Sequence, residues 1–304
     1  MANSRARSPS TGSPARSGAS FRVLLVFWVR RYPTSRGAAR HRVDYHRGVS
    51  EGTDARIYRK DYSPPEYLVD TVDLSFQLDP ADTRVETTMR LRKNPSSEVA
   101  GPSLSLHGAE LELLSVYVDG ARLEPSRYEA HPEGLRIHDV PDEFELRTEV
   151  SIRPERNTKL MGLYTSNGAF CTQCEAEGFR KITYYLDRPD VMAVFTTTLQ
   201  ANKALYPVLL SNGNLTGSGD LDDGRHWACW HDPFKKPSYL FALVAGQLER
   251  IEDTFTTSSG RQVSLQIFVE PQNIDQCDHA MTSLKKAMRC LLYTSDAADD
   301  LVSV

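Results

Sequence analysis

Hydrophobic and polar residues alternate over two neighbouring stretches, residues 72–78 and 85–91. A period of two is typical of a half-buried strand, because successive side chains on a strand point to opposite faces. Residues 79–82 between them, Asp-Pro-Ala-Asp, favour a turn. The pattern predicts a β-hairpin with these inward side chains: Val72, Leu74, Phe76, Leu78, Val85, Thr87, Met89 and Leu91.

The same period recurs at residues 114–118 and 144–152, and residues 191–201 are again β-rich. The pair Asp119-Gly120 is a favourable tight-turn sequence at the end of the first of these strands. Strands at such spacing, separated by proline and glycine, predict a mainly β fold, either a β-sandwich or a saddle of twisted sheets.

A continuous apolar run, residues 239–246, predicts a strand with both faces covered, and Trp227 and Trp230 predict a short strand before it. Beyond a domain boundary near Gln247, residues 254–257 and 263–269 predict a second hairpin. After it, apolar residues at i, i+3 and i+7 predict an amphipathic helix. These are Met281, Leu284 and Met288.

The first fifty residues carry ten arginines, no lysine and a single acid, Asp44. Such a composition is typical of an organellar transit peptide, but it equally fits disorder or translation from a start codon placed too early. We interpret residues 1–56 as an Arg-rich extension that is disordered or mistranslated.

The whole chain has a net charge of −4 and five cysteines, an odd number. The charge gives no reason to expect nucleic acid or an anionic membrane as a partner. No apolar run approaches the roughly 20 residues of a membrane helix, and an odd cysteine count does not indicate a disulfide framework. We expect a cytoplasmic protein with neither kind of partner.

One stretch, residues 171–190, concentrates residues that carry chemistry. It holds two cysteines, Gln173, Glu175 and the run Tyr184-Tyr-Leu-Asp-Arg-Pro189. This stretch resembles the corresponding segment of the bacterial aminopeptidase N family, which are zinc exopeptidases of the gluzincin class. The resemblance runs from about Ile57 to Arg289 and implies that Gln173 and Glu175 bind the amino terminus of a peptide substrate. An i, i+2 spacing on a strand would point both side chains the same way.

The resemblance also implies the domain organisation. Residues 57–247 would be the amino-terminal β-domain, and residues 248–289 the truncated start of a thermolysin-like catalytic domain. Residues 290–304 depart from the family and look like translated sequencing-adapter DNA, with a natural divergent tail as the alternative. With its packing partners missing, the helix of residues 281–288 is expected to expose its apolar face.

Zinc belongs to the full-length parent in this interpretation, and none is expected in the present chain. None of the eight histidines is followed by glutamate, and no two are four residues apart. The His-Glu-x-x-His helix motif, which places two imidazoles on one face, is therefore missing from the sequence. We expect the chain by itself to have no catalytic residue and no hydrolase activity.

Three further groups in the stretch leave alternatives open. Cys171 and Cys174 would suit a redox site or half of a zinc site, but two buried or half-buried free thiols are favoured because no second cysteine pair follows. Glu177, Arg180 and Asp187 either line a cleft or form a structural ion-pair network. Tyr184 and Tyr185 are interpreted as one core residue and one rim residue.

The sequence therefore predicts the amino-terminal part of a monomeric zinc aminopeptidase that releases amino-terminal residues from peptides. The alternative is a non-catalytic β-sandwich that binds a protein partner, because a β-sandwich by itself does not define an activity.

Overall fold

The computed structural model describes residues 22–27, 62–97 and 101–299. These residues form eighteen strands and one α-helix. In chain order they are β1 Arg22–Phe27, β2 Tyr67–Gln77, β3 Thr83–Lys93, β4 Leu104–His107, β5 Glu112–Val118, β6 Ala121–Arg122, β7 Tyr128–His131, β8 Gly134–Ile137, β9 Glu143–Ile152, β10 Gly162–Ser166, β11 Ala169–Gln173, β12 Met192–Asn202, β13 Val208–Ser211, β14 Asn214–Asp220, β15 Arg225–Pro237, β16 Leu243–Gly246, β17 Glu249–Thr256, β18 Gln262–Val269 and α1 Cys277–Asp299.

The described residues fall into two compact units. One unit contains residues 62–248, and the other contains β1 together with residues 249–299. The division lies after Leu248, next to the boundary that the sequence suggests near Gln247.

An eight-stranded sheet is the largest element of the first unit, with the order β14-β15-β12-β2-β3-β9-β5-β6. The β12–β2 pair is parallel and the other pairs are antiparallel. The mainly β fold predicted from the alternating pattern is confirmed. The first hairpin is also confirmed, since β2 and β3 pair in antiparallel register and all eight predicted inward side chains are buried.

Local turn chemistry explains two of the hairpins. The Asp79 carboxylate accepts hydrogen bonds from the main-chain N–H groups of Ala81 and Asp82, which closes the β2–β3 turn. Asp119 and Gly120 both have positive φ, at 48° and 77°, and join β5 to β6. Positive φ at both central residues is the geometry of the tight hairpin turn expected from that pair.

Two smaller sheets complete this unit. A four-stranded sheet has the order β10-β11-β16-β13, and a three-stranded sheet has the order β4-β8-β7. His107, the last residue of β4, forms an isolated antiparallel bridge with Tyr185. This bridge brings the end of the second small sheet to the segment that carries the candidate site residues.

Two sequence predictions for the later strands are wrong. The tryptophans lie on β15, which runs for 13 residues and is not short. The apolar run of residues 239–246 is not one covered strand, because β16 begins only at Leu243. Before it, Leu240 belongs to a 3-10 turn and is 51% exposed, and Ala242 is also exposed.

The second unit contains β1, β17, β18 and α1. Strands β17 and β18 form the predicted antiparallel hairpin, and β1 pairs in parallel with β18. Six residues of the Arg-rich extension, which the sequence analysis interprets as disordered or mistranslated, therefore form a strand. The rest of the extension lies outside the described residues.

The helix is confirmed, but the predicted exposure of its apolar face is wrong. Met281 is buried, and Leu284 and Met288 are half-buried against a cluster on the neighbouring hairpin. That cluster is Val263, Leu265, Ile267 and Val269, together with Cys277 of the helix. The helix also extends through residues 290–299, into the region that the sequence interpretation treats as an aberrant tail.

Candidate functional site

The candidate site residues lie where a strand gives way to a compact turn. Strand β11 ends at Gln173, and residues 174–178 form a turn closed by the Gly178 N–H, which donates to the Cys174 carbonyl at 2.8 Å. A 3-10 turn, Phe179–Lys181, follows at once. The segment is therefore a strand end fixed to a turn, and not a continuous strand.

Gln173 and Glu175 are both exposed, and the Gln173 side-chain amide donates to the Glu175 main-chain carbonyl at 3.3 Å. The peptide bond between Glu175 and Ala176 is cis. The predicted i, i+2 strand geometry is wrong, because Glu175 lies in the turn beyond the end of β11. Their assignment to the substrate's amino group stays a prediction, because it came from the family resemblance as well as from the spacing.

Gly178 permits this turn to fold back onto β11. A Cβ atom at position 178 would lie 2.3 Å from the Gln173 carbonyl oxygen and 2.8 Å from the Cys174 Cα. Both contacts are with backbone, which cannot rotate away as a side chain would. A residue larger than glycine would therefore displace the turn that carries Glu175.

A buried carboxylate anchors the other end of the segment. Asp187 Oδ2 accepts hydrogen bonds from the main-chain N–H and from Nε of Arg180, at 3.2 Å and 3.0 Å, and Oδ1 accepts from the Ser238 hydroxyl at 2.6 Å. The Asp187 side chain is only 1% exposed. A buried carboxylate needs this number of donors, because desolvation penalises an unpaired charge.

Arg180 joins the carboxylate to the turn. Its guanidinium also donates to the Asp187 main-chain carbonyl at 3.1 Å and lies 3.4 Å from the Glu177 carboxylate. The structure thus shows the ion-pair network that the sequence offered as one of two alternatives. Glu177 and Glu175 belong to the same turn, so this network fixes the turn from its C-terminal side.

Both tyrosines of the segment are buried, so the interpretation of one core and one rim residue is wrong. The two residues do not lie in a regular strand. The Tyr184 ring covers Gly108, where an added Cβ would meet the ring at 2.3 Å. The Tyr185 ring packs edge-on against Phe179, with centroids 5.0 Å apart.

The two thiols that flank Gln173 are buried and form no disulfide, as the favoured sequence interpretation expects. Burial raises the pKa of the Cys174 thiol well above its ordinary value. Within the part of the chain that the structure describes, no three His, Cys, Asp or Glu side chains lie together as a metal site would require. The residues present there do not fit a zinc ion.

His107 is a member of the network that the sequence analysis missed. The Asp187 main-chain N–H donates to His107 Nδ1 at 3.2 Å, so Nδ1 is the unprotonated nitrogen. Eighty positions separate the two residues, and Ser238 lies a further 51 beyond Asp187. No local pattern signals either contact, because both depend on how the sheets assemble.

Protonation of His107 is expected to destabilise the fold. Burial, and then the Arg180 charge, lower its pKa below 6.5, while Asp187 and Glu177 oppose that change. The unfolded state therefore binds the proton first as the pH falls, and stability is lost below about pH 6.5. In His107→Asn the side-chain oxygen can still accept from Asp187. We expect its melting temperature to fall less steeply than that of the wild type between about pH 7 and pH 5. Parallel melting curves would contradict this assignment.

The fold and the sequence of residues 62–248 together identify the class of the protein. The family model of the Peptidase M1 N-terminal domain matches residues 63–240, and the chain belongs to this family. It is a homologue of bacterial aminopeptidase N. It is 49% identical over 233 residues to aminopeptidase N of Escherichia coli, which covers 76% of this chain and 26% of that protein. With aminopeptidase N of Caulobacter vibrioides it is 48% identical over 237 residues, covering 78% and 27%.

Solved structures give the same relationship. Legionella pneumophila aminopeptidase A, in complex with aspartic acid, superposes with a TM-score of 0.72 at 36% identity, covering 75% of this chain and 27% of that one. An M1 zinc metallopeptidase from Deinococcus radiodurans shares the fold, with a TM-score of 0.57 at 15% identity, covering 68% and 48%. The chain spans about a quarter of the length of its curated relatives.

Among the described residues, no helix has both the length and the apolar composition needed to cross a bilayer.

Proposed function

We propose that this chain is the amino-terminal part of a zinc-dependent aminopeptidase that releases amino-terminal residues from peptides. The match of residues 63–240 to the Peptidase M1 N-terminal domain supports this proposal most directly. In this proposal, the chain binds the free amino group of the peptide substrate, so the peptide amino terminus is its partner. The protein is monomeric and cytoplasmic.

The chemistry of Gln173 and Glu175 suits that role. A peptide α-amino group has a pKa near about 8, so it is mostly cationic at neutral pH. A carboxylate and an amide oxygen provide one charged and one neutral acceptor for its three N–H donors. Both side chains are exposed, so a ligand can reach them, while the turn beneath them is fixed by Gly178 and by the Arg180 network.

In the complete protein, a bound zinc ion would supply Lewis-acid activation of the scissile carbonyl and of water. The described residues contain no cluster that fits the metal, so we assign no hydrolytic step to this chain. Its contribution is to bind the amino group at a fixed place, which selects the end of a peptide over its interior.

The test uses the protein encoded by the complete gene. We expect its reading frame to continue into a His-Glu-x-x-His motif, and the protein to hydrolyse aminoacyl anilides. Glu175→Ala is expected to weaken transition-state stabilisation, measured from the ratio of kcat/KM values, by about 2–3 kcal/mol, because it removes the charged acceptor of the amino group. Glu145→Ala, which removes an exposed carboxylate on β9, serves as the matched control. Equal activity of the two variants would contradict the assignment of Glu175.

One observation favours the alternative, a non-catalytic interaction module. Phe234, on β15, is 65% exposed, and Leu240, in the turn that follows, is 51% exposed. Aromatic side chains such as Phe234 are enriched at protein–protein interfaces relative to the rest of the surface. A complete gene without a zinc motif after this region would favour this function over the aminopeptidase.

A further inference from the structure

One tryptophan, Trp227, lies against a neighbouring strand on the outer face of the large sheet. Its register partner on β14 is Gly219, and Gly217 lies two residues before Gly219 on the same face. A Cβ atom at either glycine would come within 3.0 Å of the indole ring. The ring therefore spans both positions and rests on a part of β14 that has no side chains.

Two glutamines continue the line of Trp227 across the sheet. Gln200 on β12 is the register partner of Trp227, and Gln77 on β2 is the register partner of Gln200. Their chain neighbours Phe76 and Leu199 are buried, so both glutamines point away from the core. Paired residues on adjacent strands share a face, and the three side chains form a row about 10 Å long. We call it the Trp227 row.

The polar groups of the Trp227 row are available to a ligand. Trp227 and Gln200 are half-buried, and Gln77 is exposed. Within residues 62–97 and 101–299, no group hydrogen-bonds to the indole N–H or to either carboxamide, and no ring or cation stacks on the indole. The indole N–H is a donor, and each carboxamide has both donors and an acceptor. The row thus combines an accessible aromatic ring with unpaired hydrogen-bonding groups.

The charges at the two ends of the row favour a neutral ligand. Arg84 follows Gln77 in the strand register and pairs with Glu149 at 3.4 Å. At the other end, Asp220 on β14 pairs with Lys203 at 2.7 Å. Both cations are already paired, so neither end offers a free cation to a phosphate group. A nucleic acid, which is held largely through its phosphates, is therefore disfavoured.

The size of the row disfavours a protein partner. A stable protein interface buries roughly 800 Å² on each partner and has a well-packed core of several large side chains. The Trp227 row is about 10 Å long and contains a single ring. Its dimensions suit a small ligand or the end of a chain molecule.

We propose that the Trp227 row binds neutral sugar units of an oligosaccharide. One face of a pyranose ring is lined by C–H groups, which suit the negative face of an indole ring. Sugar hydroxyls both donate and accept hydrogen bonds, as do the carboxamides of Gln200 and Gln77. None of these residues belongs to the turn that carries Gln173 and Glu175, so the site is independent of the proposed peptidase function.

A titration of the full 304-residue chain, followed by NMR of amide and indole N–H groups, tests this site. The probes are cellohexaose, chitohexaose and maltohexaose, with a short oligothymidylate as the charged comparison. We expect at least one sugar to shift the Trp227 indole N–H and the side-chain amides of Gln200 and Gln77. The affinity should be millimolar, because an open row buries little of its ligand. It should not change when NaCl is raised about tenfold, because no ion pair forms. Oligothymidylate should not bind.

Three variants separate the contacts. Trp227→Ala should weaken sugar binding at least about tenfold, and Gln200→Ala about fivefold, since it removes hydrogen bonds and leaves the ring in place. Phe234→Ala removes an exposed ring from the same strand, outside the row, and should leave binding unchanged. If Trp227→Ala does not fold, Gln200→Ala decides alone.

Four results would overturn the proposal. They are the absence of shifts at the row with every sugar, equal binding by Gln200→Ala and the wild type, equal losses in Trp227→Ala and Phe234→Ala, and binding of oligothymidylate as tight as that of the sugars. Loss of peptidase activity in the protein encoded by the complete gene would not bear on this site.

Discussion

Replacing Asp187 by alanine is expected to lower the free energy of unfolding by about 3–5 kcal/mol. Removing one partner of a buried ion pair leaves the charge of the other partner uncompensated. The Arg180 guanidinium would lose its acceptor at 3.0 Å, and the Ser238 hydroxyl would lose its acceptor at 2.6 Å. The carboxylate ties the turn of the candidate site, through Arg180, to Ser238 in the 3-10 turn after β15. The variant therefore loosens both of these segments at once.

Chemical denaturation of the variant beside Asp142→Ala measures this effect. Asp142 forms a surface pair with Lys93, at 3.5 Å, and its side chain is 83% exposed, so its loss should cost less than about 1 kcal/mol. Asp187→Asn keeps the shape and one acceptor oxygen, and we expect a loss between those of the two alanine variants. If Asp187→Ala and Asp142→Ala lost similar free energy, the network would not anchor the fold.

Removal of the Phe179 ring is expected to have an effect of similar size. Phe179→Ala should cost about 3–5 kcal/mol, the range for deletion of a large aromatic side chain from a packed core. The ring is fully buried and lies 5.0 Å from Tyr185, 5.3 Å from Phe241 and 5.9 Å from Phe195, with edge-on geometry in each pair. Its loss would leave a cavity bounded by three aromatic rings.

Thermal and urea denaturation of three variants would test the ring's contribution. Phe179→Leu keeps most of the volume and should cost clearly less than Phe179→Ala. Phe234→Ala removes a ring that is 65% exposed and should change stability by less than about 0.5 kcal/mol. Equal stability of the leucine and alanine variants of Phe179, or an equal loss of stability in Phe234→Ala, would contradict a cavity at position 179.

The strands were predictable because their signal is local. The alternation over residues 72–78 and 85–91, and the turn residues between them, specify a hairpin without reference to the rest of the chain. Such a signal identifies which face is buried but not how far pairing continues, and β15 therefore extends well beyond the strand predicted around its tryptophans.

The geometry of the candidate site was not predictable in the same way. Glu175 leaves the strand because Gly178 packs on the Gln173 carbonyl and because Arg180 reaches Asp187. The contact of Asp187 with His107 joins positions 80 residues apart. An alternating pattern predicts that a strand continues until a glycine, a proline or another turn residue interrupts it. Contacts between distant segments can end a strand without any such residue in the local sequence.

The terminal helix shows the opposite error. The spacing of its apolar residues predicted the helix. The exposure of its apolar face was predicted because the family resemblance places the packing partners in a longer domain. The apolar face finds a partner close by in sequence, on β18 and its neighbours. A helix that follows a hairpin can pack on that hairpin alone. Its apolar face can therefore be covered without segments from elsewhere in the chain.

The buried thiols on either side of Gln173 have a consequence for the chemical durability of this segment. Thiolates react with oxidants and alkylating agents, whereas a thiol that burial keeps protonated and out of reach does not. Damage at Cys174 must therefore wait until the strand end unfolds. How long this segment lasts under oxidative stress is thus governed by how often the strand end opens.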